Sequence, residues 1–383
     1  MSVRVGVLVV GGGVCGLWTL WSLLERGHDA WLIESASLGA GQTLASQGIL
    51  HAGVKYRLPG NTADSSRSVA DVQPVWEAAL RGEAGPNLAS VPTISAVTHL
   101  WSLPTLGARM AAEIASRVMR SGTKKLNAEA RPGVLNDAPD GVSVFEAPER
   151  VLEPLGLVVA LRAATNGRAR AARCSGVRQD TDGFVCETEG GQEVLADAIV
   201  FAAGEGNEAL IRSLGVDAAK VSQRRPLHQV VGRGVPGSLN GHCLQASDKP
   251  VLTVTTGSIS GEATWYLGGD LAETGVGLSS EDQCQRARDA IERCLGWVDT
   301  GAIRWSSFKI DRAEGKTEDG RRPDGPVIRE IGHTDRGVAL AVWPTKLVLA
   351  PVAAQRVADT LGPTRKGNGL VAFPDAEVAK AVW

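Results

Sequence analysis

The chain has 383 residues, 43% hydrophobic and 21% charged, the make-up of a folded globular protein rather than a disordered tail or fibrous repeat, and its length predicts two domains. Forty basic against 42 acidic residues leave a formal charge of -2, which gives no electrostatic footing for nucleic acid as a partner. Cys15, Cys174, Cys186, Cys243, Cys284 and Cys294 contain no C-x-x-C. His28, His51, His99, His228, His242 and His333 show no pair at metal-ligand spacing and no carboxylate cluster around them, so the pattern predicts no disulfide framework, no metal and a reducing, cytoplasmic setting.

From Val5 to Leu24 no charge occurs, a length that imitates a signal peptide or membrane span. Gly11, Gly12, Gly13 and Gly16 interrupt it, and glycines at that density weaken a helix and mark a close turn. The prediction is therefore a strand from Val5 to Val10, a turn, a helix from Leu17 to Arg26 closed by Gly27, and a second strand from Ala30 ending at Glu34, with no membrane span. The turn is G-x-G-x-x-G in register. Gly11 permits its sharpness, Gly13 lets backbone approach a pyrophosphate, Gly16 lets the helix pack on the strand, the exposed N-H groups at the helix start receive the anion, and Val14 and Cys15, inside the turn, are counted among the cofactor contacts. The Cys15 side chain and Trp18 read as packing. Glu34, 18 residues after Gly16 and followed by Ser35, is placed to hold ribose hydroxyls, and its charge disfavours a 2′-phosphate. The fingerprint leaves FAD and NAD both open.

Further along, residues 57–85 contain a helical stretch with Trp76 and Leu80, residues 90–101 alternate as one strand, and residues 111–120 form a short helix. Glu153-Pro154-Leu155 opens a helix to Thr165, and residues 170–188 make two strands about the turn Asp180-Thr181-Asp182-Gly183. Residues 228–233, 252–256, 264–269 and 301–310 are strand-like, and residues 281–295 are helical.

The run Gly41-Gln42-Thr43-Leu44-Ala45-Ser46-Gln47-Gly48-Ile49-Leu50-His51-Ala52-Gly53-Val54-Lys55-Tyr56 resembles the loop and helix after the ribose acid in D-amino-acid-oxidase-like FAD oxidoreductases. Its S-x-G-x-x-H-x-G-x-x-Y form is most similar to members oxidising L-2-hydroxyglutarate and glycerol 3-phosphate, with glycine oxidase in the same group. Residues 196–204, ending Ala203-Gly204, resemble the later strand beside the FAD, and Arg322-Pro323-Asp324-Gly325-Pro326-Val327-Ile328 is a third match. Trp343-Pro344-Thr345-Lys346-Leu347 resembles the start of the final helix, where many relatives carry a glycine-rich run instead. The resemblance implies an α/β fold: a discontinuous, Rossmann-like FAD-binding domain of residues 1–85, 145–222 and 320–383, and a mostly antiparallel substrate domain of residues 86–144 and 223–319. It also implies FAD contacts from Gln42, Thr43, Ser46, Gln47, Gly48, Ile49, Ala203, Gly204, Thr345, Lys346 and Leu347. Thr345 is read as the cap of a helix from Lys346 to about Leu361, whose N-H groups with Lys346 face the charge that a reduced flavin gains.

A flavin oxidising a C-H bond beside nitrogen or oxygen needs an anchored substrate and, for an alcohol, a base. The resemblance implies that Arg322, the arginine immediately before proline in its motif, anchors a substrate carboxylate, to which a guanidinium offers two parallel donors; the alternative is a surface arginine beside Arg321. His51 is the expected base for a hydroxyl, with a locally bonded histidine or a covalent flavin link as alternatives. Tyr266 offers a hydroxyl to the pocket or merely packs, and Lys309, Asp311 and Arg312 line the cavity or form a structural ion pair. These features predict an FAD-dependent enzyme acting on a small 2-hydroxy acid or amino acid, with an amine or amino-acid oxidase that works without His51 as the alternative. A flavoprotein that binds or senses without turnover is the reading from another class. The substrate and electron acceptor stay open.

Overall fold

The computed structural model describes residues 3–51, 71–103, 122–245, 250–367, 369 and 371–380. The expected helix at 111–120, residues 57–70 of the expected helical stretch, and Tyr56 lie outside these.

The apolar run at the start forms the strand Val3–Val10, buried from Val5 onward, as a strand covered on both faces must be. It pairs in parallel with Ala30–Glu34 on one side and Glu193–Phe201 on the other. Parallel pairing continues outward to Ala169–Ala171 and to Val338–Trp343, while the hairpin Cys174–Asp180 and Gly183–Thr188 and the strand Val327–His333 add antiparallel edges. The helices Val14–Glu25, Pro154–Ala164 and Ala350–Leu361 bury Leu17, Leu20, Leu157, Leu161, Val357 and Leu361 in a common core against this sheet. The first helix begins three residues before the expected Leu17, because the fingerprint's own residues wind its first turn.

A second eight-stranded sheet runs in the order Arg304–Gly315, Ser222–Arg233, Glu262–Gly268, Leu252–Ile259, Gly241–Leu244, Thr98–Ser102, Val144–Ala147, Lys124–Leu126. Every neighbouring pair is antiparallel except Gly241–Leu244 with Thr98–Ser102. The helix Ser280–Leu295, capped by the Ser279 hydroxyl accepting from Asp282 N at 3.1 Å, seals one face with Ala287, Ile291 and Leu295. The fold class is thus α/β, a mainly parallel, Rossmann-like sheet with helices packed on it beside a second, mostly antiparallel one.

The alternating stretch 90–101 is not one strand. Ser95 Oγ donates to the Val97 carbonyl at 2.6 Å, a local bond that turns the chain, so Thr93–Ser95 joins a small three-stranded sheet with Ile49–Leu50 and Arg150–Leu152, and Thr98–Ser102 joins the second large sheet. No helix among the described residues is long and apolar enough to cross a membrane.

Candidate functional site

A cavity of about 1320 Å³ opens between the two large sheets, lined by the glycine turn, the loop after Glu34 and one wall of the second sheet. The turn has its shape for steric reasons. A Cβ on Gly16 would sit 1.9 Å from the Gly11 carbonyl oxygen, and Gly11 itself holds φ +112°. A Cβ on Gly13 would meet only Thr43 Oγ1, at 3.1 Å, so this glycine keeps the start of the helix open to the cavity. Thr43, buried, accepts from Val14 N at 3.0 Å and pins the turn. Cys15 also lines the cavity, and burial pushes its thiol up to about 12, which makes it a neutral packing group.

Glu34 is already engaged. Its carboxylate accepts from Gly12 N at 2.6 Å, Ala36 N at 2.9 Å and Ser35 Oγ at 3.2 Å, and with about four acceptor sites on a carboxylate one position is left for a hydroxyl. Gln42, Ser46, Gln47, Gly48 and Ile49 all line the cavity. Gln47 also donates through Nε2 to the backbone carbonyls of Tyr266 at 2.9 Å and Thr253 at 3.3 Å, tying this loop to the second sheet. Ala203 and Gly204 reach the cavity from the strand end, held by Asn207, a residue the sequence did not single out. The buried Asn207 side chain accepts from Ala203 N at 2.8 Å and donates to the Val342 carbonyl at 3.3 Å.

Thr345, Lys346 and Leu347 line the cavity, but Thr345 does not cap a helix. Its hydroxyl donates to the Gly325 carbonyl at 2.9 Å, its φ is +66°, and a short 3-10 turn at Leu347–Leu349 precedes the helix Ala350–Leu361. The positive φ directs the hydroxyl away from the helix start. Tyr266 is likewise corrected: it is fully buried, absent from the described cavity lining, and its phenol donates to the Ala45 carbonyl.

On the second sheet, Arg225, Leu227 and Gln229 alternate toward the cavity, joined by Ile310, Asp311, Arg312 and Ala313; Arg322 lines it half-buried. Arg225 forms a bidentate pair, with Nε and Nη2 each 2.6 Å from the two oxygens of buried Glu314. Arg312 does not, and its Nε donates to the Arg225 carbonyl at 3.2 Å. Both of its terminal nitrogens share one oxygen of Glu273, at 3.2 Å each, and burial with the nearby Arg225 charge lowers its pKa from the ordinary guanidinium value. Asp311 pairs with Arg224 at 3.0 Å, so Asp311 and Arg312 serve both cavity and structure, while Lys309 is exposed and outside the cavity lining.

His51 lines the cavity, and here the structure overturns the expectation that no carboxylate surrounds the histidines. His51, Glu149 and His242 bring one donor atom each within 4.8 Å of one another, a grouping with the residue types a divalent ion also uses. Burial alone would raise the Glu149 carboxyl, yet the His51 and His242 imidazoles outweigh it and hold it well below the usual carboxylate range. Glu149 lies 98 residues from His51, so no local pattern announces the pair.

Comparison with known proteins agrees with this architecture. FAD-dependent oxidoreductase PA4991 of Pseudomonas aeruginosa is 35% identical over 387 residues, covering 98% of this chain and 97% of the relative. Its crystal structure superposes with a TM-score of 0.82 at 33% identity, covering 100% of this chain and 98% of that one. Glycine oxidase from Geobacillus kaustophilus, at 18% identity and a TM-score of 0.67 over 99% of this chain and 100% of that one, shares the fold. The residues present suit FAD: a helix start opened by Gly13, an acid at the end of the second strand, and a cavity larger than the roughly 300–1,000 Å³ of an ordinary ligand pocket. Residues 6–360 match the family described as FAD dependent oxidoreductase, and the chain belongs to that family, DAO.

Proposed function

We propose that this chain oxidises a small carboxylate-bearing molecule, a 2-hydroxy acid or an amino acid, at the C-H bond beside its oxygen or nitrogen. Bound FAD supplies the acceptor for the hydride at its N5. The observation that carries the reading is Arg312. A half-buried guanidinium whose two terminal nitrogens share one carboxylate oxygen at 3.2 Å is a stretched pair, and the bidentate geometry it lacks is the one a substrate carboxylate offers. Arg322, half-buried on the same cavity, adds a second cation. His51 takes the hydroxyl proton of a 2-hydroxy acid, and the apolar Leu227 and Ile310 keep water from the wall between. Lys346 holds a positive charge where negative charge grows during transfer.

Anaerobic mixing of the FAD-loaded protein with a metabolite panel tests this. Bleaching of the flavin by 2-hydroxy or amino acids, and not by their amides or decarboxylated analogues, is the expected result. Bleaching only by uncharged amines or alcohols sinks it, and bleaching by nothing in the panel favours a binding or sensing protein. Asp270 and Glu273 on the same cavity favour an amino acid, because an ammonium needs an anionic partner; unchanged turnover in His51→Ala selects that branch.

A further inference from the structure

Three side chains from distant segments meet behind the cavity wall. His51 follows the strand Ile49–Leu50, Glu149 sits in the turn between Val144–Ala147 and Arg150–Leu152, and His242 lies on Gly241–Leu244. Glu149 and His242 side chains are each 1% exposed, while His51 keeps 16% and reaches the cavity. One oxygen of the carboxylate, Oε2, is the hub. It lies 3.4 Å from His51 Nδ1, 3.7 Å from His242 Nε2 and 3.3 Å from the Thr98 hydroxyl, which donates to it. On the far side of the second imidazole, His242 Nδ1 is 2.8 Å from Thr253 Oγ1.

An ionised carboxylate only accepts, so each imidazole nitrogen turned toward it must carry a proton. Burying such a charge costs several kcal/mol unless donors and positive charge surround it; here the Thr98 hydroxyl and His51 Nδ1 are within hydrogen-bond reach, and His242 Nε2, at 3.7 Å, lies beyond that reach and supports the charge through space. His242 can in turn accept from the Thr253 hydroxyl at Nδ1, which fixes its own proton on Nε2. The carboxylate therefore favours one arrangement of protons on His51, and of the three residues only His51 lines the cavity.

We propose that Glu149, braced by Thr98 and His242, is a positioning residue that keeps a proton on His51 Nδ1 and so makes Nε2 the nitrogen with the lone pair. This rests on the reading of His51 as the base. A histidine left to itself shifts between two tautomers, only one of which has an acceptor at Nε2; the carboxylate removes the other. The role is orientation and charge support, since Glu149 does not line the cavity.

The test uses the FAD-loaded protein labelled with ¹⁵N-histidine, with His51→Gln to assign the His51 signals. Long-range ¹H-¹⁵N spectra of the wild type are expected to show a neutral His51 protonated at Nδ1, and Glu149→Gln to shift it toward the Nε2-protonated form. Alongside, Glu149→Gln is expected to slow flavin reduction roughly ten- to a hundredfold with the half-saturating substrate concentration within about twofold, and Glu149→Asp to recover part of the rate. A wild-type His51 protonated at Nε2, or at both nitrogens, overturns the proposal whether or not the variant folds. So does one tightly held divalent ion per chain in the purified holoprotein, because the three residues would then be ligands. Full turnover in His51→Gln, by contrast, removes the base while a Nδ1-protonated His51 still supports the role of Glu149.

Discussion

The Gln47 side-chain amide donates to the Tyr266 backbone carbonyl at 2.9 Å, so the loop that follows the acid strand is bonded directly to the second sheet. A second branch of the same nitrogen reaches the Thr253 carbonyl at 3.3 Å. Gln47→Leu keeps the volume and removes the donor, which should cost about 1–3 kcal/mol by leaving buried carbonyls short of a partner. Urea unfolding of the FAD-loaded protein measures this. An unmoved midpoint would mean the two sheets are held together elsewhere.

Two glycines of the fingerprint should fail differently. In Gly16→Ala the new methyl meets the Gly11 carbonyl at 1.9 Å, backbone against backbone, and a loss of about 3 kcal/mol or more is expected even without cofactor. In Gly13→Ala the nearest atom is Thr43 Oγ1 at 3.1 Å, so the apoprotein should unfold within about 0.5 kcal/mol of wild type while FAD retention drops. Apoprotein melts and flavin content after gel filtration separate the two; equal behaviour would refute the division.

Arg312→Leu and Lys346→Met should act on different kinetic constants. A substrate carboxylate is present from binding onward, so losing Arg312 raises the half-saturating concentration, by about tenfold or more, and leaves the flavin potential alone. In the proposed reaction, charge near Lys346 develops only on reduction, so Lys346→Met is expected to slow hydride transfer and lower the potential. Arg322→Leu should follow Arg312→Leu in milder form. Stopped-flow reduction with a redox titration checks all three, and an exchange of effects would redraw the substrate's orientation.

Two buried histidines predict acid sensitivity. His28 is lowered from its ordinary value by burial and then by Arg365, Arg26 and Lys366, and His99 by burial over the opposing pull of Glu146. Their folded pKa values lie below the unfolded 6.5, so the unfolded chain binds more protons in between. Stability is full above that value and falls as pH drops through the lower folded ones. His28 Nδ1 accepts from Arg365 N at 3.1 Å, a bond that protonation breaks. Urea midpoints at pH 7.5 and 5.5 should fall in the wild type and fall less in His28→Asn.

Among the thiols, Cys174 should be alkylated first. The Cys186 thiol donates to its sulfur at 2.9 Å and holds its pKa below the ordinary thiol value, and Cys174 is half-exposed at the cavity. Cys186, on the donating side and buried, is pushed up, and burial does the same to Cys15. Timed iodoacetamide labelling with peptide mass analysis would show the order, and earlier labelling of Cys284 would contradict it.

What was legible in the sequence was local. Gly11 to Gly16 and Glu34 sit within one strand, turn, helix and strand, where steric rules act between near neighbours, and the same holds for the hairpin about Gly183. The apolar alternation from residue 90 onward misled, because a Ser95 side-chain bond outweighs a periodicity that only packing enforces. Thr345 misled for a related reason: a capping residue type takes a left-handed φ and bonds to Gly325, 20 residues away. His51 could be named, but its surroundings could not. Glu149 and His242 reach it through two strands of a sheet whose order no sequence spacing reveals.

Asn207 gives the site a shared pivot. One amide, accepting from Ala203 and donating to Val342, clamps the ends of two neighbouring parallel strands just where each turns into the cavity. The segments it joins are Ala203-Gly204 on one side and Trp343 to Lys346 on the other. A displacement of either is therefore passed to its neighbour through a single rigid planar group, with no loop between to absorb it. If Ala203-Gly204 holds the cofactor and Lys346 meets the reaction's charge, as proposed above, grip and charge placement are mechanically one adjustment at this point, and a substitution there tunes both or neither.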